Sequence, residues 1–265
     1  MDRSWAGLFF CIALIGLAGC AGSGDVRPNE TTPTFPNGTT DEEITNVSKV
    51  YLQHWTVLQN TDYSAEAGYT GDYYDRDPTK YSWVRQHWEI RSSLDTRERL
   101  LHQNSTFSGG NSTNRTWYTS STTKYVRNGG MNADGTQYQP YYYIDREFSD
   151  HGFAAFHYIF FGRLVKGPAY ANLLQGTTPK YVETERSGNH SFHTYAVSNR
   201  SPNTTGRIVV RDDGLISLIE MDTTVDGRPV NYYLSIQPRD EVSIATPSWK
   251  QEAIKAEQAS SGSGG

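Results

Sequence analysis

Arg207-Ile208-Val209-Val210-Arg211-Asp212-Asp213-Gly214-Leu215-Ile216-Ser217-Leu218-Ile219-Glu220 is the stretch whose reading decides the fold. Two runs rich in β-branched and aliphatic residues flank Asp213-Gly214, a pair suited to a tight hairpin turn. Asp226-Gly227 repeats the signal. The surrounding runs then read as a meander with strands over 180–186, 191–198, 207–211, 215–223, 230–236 and 241–245. Pro247-Ser248-Trp249 closes the body, and Ser248 with Gln251 forms a capping box for a helix through Gln258.

Upstream, from Tyr63 to about Gln139, the chain is again strand-like, rich in Tyr, Trp, Thr and Val, with Asp134-Gly135 as another hairpin signal. Val84, Trp88 and Ile90 share one face. The positions from Trp117 to Val126 alternate as one run. Many faces are polar or aromatic rather than aliphatic, which suits an open or hollow sheet better than a tight sandwich. Phe153, Phe156, Phe160 and Leu164 recur at helical spacing between the two β blocks, and Gly167-Pro168 stops that helix. Such an apolar helix either buries itself against the sheet or covers its opening, so the fold class is α+β.

The N-terminal side supplies one more helix. Thr40-Asp41-Glu42-Glu43 reads as its capping box, and Ile44, Val47, Tyr51, Trp55 and Leu58 form its apolar stripe. Residues 21–40 hold three Gly, three Pro and five Thr, too little apolar surface to offset ordering, so a flexible tether is expected. Ahead of it, Arg3 and an apolar run from Trp5 to Leu17 make a secretory signal peptide. The run is shorter than the roughly 20 residues of a membrane-spanning helix.

Two cysteines occur, Cys11 inside the signal core and Cys20 just after it. A chain cut before Cys20, with the Cys20 thiol taken up by lipid, has no disulfide, no cysteine nucleophile and no thiolate metal site. The formal net charge of −5 argues against nucleic acid, which calls for a basic face. Asn-x-Ser/Thr sequons at Asn104, Asn111, Asn114, Asn189, Asn199 and Asn203 sit in expected loops and are candidate glycosylation sites.

Catalytic signatures are sparse. The mature chain contains no Gly-x-Ser-x-Gly, no phosphate loop and no His-Glu-x-x-His. The dispersed histidines read as surface residues, with His190 and His193 on opposite faces of one strand. Asp72, Asp75 and Asp77 read as a solvated acidic loop rather than a Ca²⁺ site. Glu183 and Glu185 read as outward charges. No metal and no cofactor is expected.

Leu17-Ala18-Gly19-Cys20 resembles the lipobox of prokaryotic lipoproteins. With the tether, an N-terminal helix ending in a Tyr-bearing first strand (Asp41 to Tyr63), Asp213-Gly214-Leu215-Ile216 and Pro247-Ser248-Trp249, the chain resembles an uncharacterised family of haloarchaeal lipoproteins. In layout it is similar to LolA-like and mycobacterial lipid-binding lipoproteins. That resemblance implies a strongly curved antiparallel half-barrel with an N-terminal helix, a central apolar lid helix and a short C-terminal helix.

The expected organisation is a signal peptide over 1–19, lipidated Cys20 and tether over 20–40, one α+β domain over 41–258, and a disordered Ser/Gly tail over 259–265. The resemblance implies a non-enzymatic monomer, lipid-anchored at the outer face of the cell membrane. Its cavity, lined by Phe153, Phe156, Phe160 and Leu164, would bind a hydrophobic small molecule or envelope lipid. A surface-interaction protein without a cavity and an exported hydrolase are the alternatives.

Overall fold

Alternation builds strands here because every second residue of a pleated chain faces the same side. The computed structural model describes residues 33–71, 84–120, 122–146, 177–200, 203–225 and 228–262, all in the unit Pro33–Gly265. Helix α1 is Val47–Leu58. Six strands follow: β1 Asp62–Gly71, β2 Val84–Ser93, β3 Glu98–Phe107, β4 Ser112–Ser120, β5 Thr123–Met131 and β6 Tyr141–Asp145. Five more are β7 Lys180–Ser187, β8 His190–Arg200, β9 Asn203–Arg211, β10 Ile216–Val225 and β11 Arg228–Arg239, and helix α2 is Lys250–Gly262.

All eleven strands belong to one sheet in the order β6-β5-β4-β3-β2-β1-β11-β10-β9-β8-β7. Each ladder is antiparallel. Two meanders, β1–β6 and β7–β11, therefore join at a seam between β1 and β11, where Asp62 pairs with Arg239. The sheet is open, with β6 and β7 as its edges. The Asp213-Gly214 hairpin is present, Gly214 having φ +92 and donating its N–H to Arg211 O. Asp226-Gly227 lies outside the described residues, between the paired Val225 and Arg228.

The two faces carry separate cores. On the α1 face, Val50, His54 and Leu58 of the helix are buried, over a cluster that includes Tyr63, Ala67, Ile219, Met221, Tyr232 and Leu234. On the opposite face, residues 241–249 and α2 bring Val242, Ile244, Trp249 and Ala253 onto Tyr118 and Tyr125 of β4 and β5. Lys250 Nζ sits 5.3 Å and 4.9 Å from the centres of those two rings, within cation–π range.

Several boundaries differ from the sequence expectation. Helix α1 starts at Val47, not Asp41. Its N-cap is Asn46, whose side chain accepts from Lys49 N–H at 3.0 Å. Thr40 does accept from Glu42 and Glu43 N–H, but within a tight turn bracketed by the Thr39–Ile44 bridge. A hydroxyl three residues ahead of a Glu satisfies the same N–H groups in either setting, so the motif does not separate turn from helix.

Residues 33–40, expected in the tether, are packed on the body. Phe35 lies against His193 with ring centroids 4.5 Å apart, and Tyr195 donates to Thr40 O. The run Trp117–Val126 is not one strand but the β4–β5 hairpin, with Ser120 opposite Thr123. Nothing in Ser121-Thr122 marks that turn chemically. Residues 241–245 are unpaired rather than a strand, anchored by Val242 N–H on Asp62. Helix α2 reaches Gly262 instead of ending at Gln258, so 259–262 are helical rather than tail. An Arg146–Glu257 ion pair ties its last turns to the end of β6.

Candidate functional site

Cross-strand neighbours share a face, so one pairing row can be followed through all eleven strands on the α1 side. It runs Tyr181, Tyr195, Ile208, Ile219, Leu234, Ala67, Trp88, Gln103, Arg115, Asn128, Tyr141. From β7 to β2 it is apolar or aromatic. From β3 to β5 it turns polar, and Tyr141 at the edge is exposed. Arg115 hydrogen-bonds Asn128 and its guanidinium lies 5.3 Å from the Trp117 ring centre. The sheet thus presents an apolar floor that ends at an exposed cation.

A second row on this face is polar although fully buried: Tyr63, Ser92, Arg99 and Thr119. Arg99 Nε donates to Ser92 Oγ at 3.1 Å. Burial pulls the guanidinium down to about 10, with Tyr63 acting against it. The same burial pushes the Tyr63 phenol up to about 12, opposed by the Arg99 charge. A buried cation therefore borders one end of the apolar floor.

Two histidines expected at the surface, His54 and His193, are buried instead. His54 Nδ1 accepts from Ile216 N–H at 3.0 Å, and burial drives its basicity down to about 3. His193 is fully buried. Its Nε2–H donates to Thr34 O at 3.0 Å, and Nδ1 accepts from the Thr184 hydroxyl at 2.8 Å. A carbonyl accepts only, which assigns the proton to Nε2. Burial lowers its pKa. His190 lies apart from it, paired with Asp212 at 2.8 Å, as expected from strand alternation.

Cys20, the four lid residues Phe153, Phe156, Phe160 and Leu164, and the aspartates 72, 75 and 77 lie outside the described residues. Asn104 and Asn114 were expected in loops. They stand directly opposite one another on β3 and β4, both exposed on the α2 face. Asn111 and Asn189 are in hairpin turns, Asn199 is near the end of β8, and Asn203 opens β9. Glu183 and Glu185 are exposed on β7. Among the described residues no three His, Cys, Asp or Glu side chains converge as a metal site.

The buried Arg99 was missed in the sequence. Its only signal is the alternation of β3, which puts it in phase with Leu101. No protein-family model matches the chain, and no curated protein matches it in sequence.

Proposed function

We propose that this is a lipid-anchored extracytoplasmic lipoprotein, attached through Cys20, that binds a hydrophobic ligand or envelope lipid without catalysis. The binding surface is the α1 face, curved into a LolA-like half-barrel and lidded by the Phe153–Val165 segment. The row from Tyr181 to Tyr141 carries this reading. Its apolar part spans seven strands, about 29 Å at ~4.8 Å per strand. Helix α1 has 12 residues, so it is about 18 Å long and ~10 Å across. One such helix is smaller than the row, whose residues from Tyr195 to Trp88 are all buried.

Three further features support it. Open sheets rarely exceed about ten strands without curling. Residues 147–176, which include the apolar Phe153–Val165 run, connect the two edge strands β6 and β7. The polar end at Gln103, Arg115 and Asn128 suits the headgroup of an amphipathic molecule whose tail lies over Trp88 and Leu234.

Native mass spectrometry on protein gently extracted from its own host tests the reading. Species heavier than the anchored polypeptide by a releasable lipid are expected, and a uniformly unliganded population refutes it. Phe156→Asp is expected to abolish ligand retention while the sheet stays folded. In a solid scaffold without a cavity the same change only lowers stability.

A further inference from the structure

We propose that the α2 face carries a saccharide-binding groove at the far ends of β3, β4 and β5. The groove encloses about 490 Å³, within the ~300–1,000 Å³ of small-molecule sites. Its floor is built by cross-strand pairing, with Asn104 opposite Asn114 and Thr106 opposite Ser112. Its wall is the returning segment that carries Gln137 and Tyr138. The Met131–Gln137 bridge and the bond from Tyr138 N–H to Gly130 O (2.9 Å) hold that segment in place.

The lining is chemically selective. Its residues are almost all amides, hydroxyls and glycines, with no carboxylate and with Arg127 as the sole charge. Cations find no anionic ligand there, and a phosphate finds one guanidinium only. A lipid tail finds too little apolar surface. Neutral hydroxyls, each of which donates and accepts, match such a lining.

Asn114 Nδ2 donates to Asn104 Oδ1 at 2.6 Å, which orients both amides and leaves the Asn104 NH₂ and the Asn114 carbonyl with capacity for a ligand. Arg127 Nε is buried without an acceptor, a donor in need of an oxygen. Gln137, bridged to Met131, shares the face of Asn104 and Asn114 and adds a further amide to the lining.

Gly129 gives an independent argument. Gly130 is required, because a Cβ there would lie 2.2 Å from Ser112 O and 2.8 Å from the Tyr138 ring. Gly129 is not: a Cβ there would meet nothing nearer than Asn114 O at 3.9 Å, and its φ is not positive. A strand glycine with no backbone need for it costs stability. A side chain at 129 would stand beside Asn114 in the groove, so the glycine keeps that floor clear.

Sugar reaching this groove has two sources, the chain's own glycan on Asn104, Asn111 or Asn114, or a separate saccharide. Full-length protein made without N-glycosylation, and the native glycoprotein, are titrated with N-acetylglucosamine, methyl mannoside and maltose by saturation-transfer NMR. The unglycosylated protein is expected to bind at least one of them. Gly129→Val is expected to weaken that binding about tenfold or more without lowering the melting temperature. Should that variant misfold, Gln137→Ala is expected to show the same loss.

Binding by both forms identifies a separate saccharide. Binding by the unglycosylated form alone identifies the chain's own glycan as the occupant. No transfer to any of the three sugars overturns the proposal, as does a folded Gly129→Val variant that binds like wild type.

Discussion

A neutral imidazole is built into the core at His54, and it makes stability depend on pH. The native group titrates at about 3, against 6.5 for the ordinary side chain. Between those values the unfolded chain binds a proton that the native state refuses, so stability rises with pH across that window. The contribution is complete above 6.5 and lost as pH falls toward 3, amounting to roughly 3–5 kcal/mol over the full window. Urea denaturation at pH 7.5 and 4.5 measures it. His54→Gln, which offers another acceptor to Ile216 N–H, is expected to reduce the difference between the two pH values. An unchanged difference in that variant assigns the pH dependence elsewhere.

His54 was hidden in the sequence because a histidine one position off an apolar stripe looks like the start of the polar face. Only the helix register, fixed by the hairpin turn beneath it, turns it inward. Gln53 donates to Asp213 O at 3.1 Å, and a Cβ on Gly214 would lie 2.3 Å from the Gln53 side chain. Arg99 was hidden for the opposite reason. Its alternation was correct for a buried face, but charge argues against burial unless its partners are known, and those partners come from β2 and β1 rather than from its own strand.

Among the elements, α2 shows how a nearly polar helix is held in place. Its apolar contribution is small, Ala253 and Ile254, and the neighbouring Trp249 does most of the packing, stacked over Tyr142 at 6.4 Å. Trp249→Ala is expected to destabilise the protein by about 3 kcal/mol, measured by chemical denaturation. Removing the exposed cation of the Arg146–Glu257 pair by Arg146→Ala is expected to cost less than ~1 kcal/mol. At the other end, Asn46→Ala is expected to cost about 1 kcal/mol through the lost cap.

The two described helices and most strands were readable from periodicity, and three of the hairpins from Asp-Gly, but β6 lies past the expected strand region and 241–245 is no strand. The edges were less so. The Thr40 turn and the Asn46 cap use the same hydroxyl-or-amide-to-N–H chemistry six residues apart, and only tertiary pairing of residues 42–44 with the start of β7, Glu43 with Lys180, selects between them. Between the paired Ser120 and Thr123 the sequence has neither Gly nor Pro, so alternation ran on unbroken there.

At the scale of the whole molecule, local hairpins explain nine of the ten ladders, because each joins strands adjacent in the chain. The tenth, β1 with β11, leaves no local trace, since its partners come from opposite ends of the sequence. That ladder also decides which residues meet across the α1 face, so the apolar floor was not readable from either meander alone. The start of the β7 edge is covered by residues 42–44, with Glu43 bridged to Lys180. Strand β6 is short and holds the Lys124–Asp145 pair at 2.8 Å. Strand β7 carries a register shift between Tyr181 and Glu183, with exposed charges beyond it. Both features discourage further strand pairing.

The seam also sets the order in which the protein can be made. The first meander lacks its inner neighbour until β11, the last strand in the chain, has been made. Pairing at the seam therefore comes last, and that late step is the search for one long-range register. A chain ended at Val225 is expected to lose cooperative unfolding, its two meanders left without a shared ladder; a single sharp transition in that truncation would show the seam to be dispensable. The same arrangement leaves the half-finished sheet with an open inner edge, a strand-shaped vacancy that a wrong chain can fill until β11 arrives.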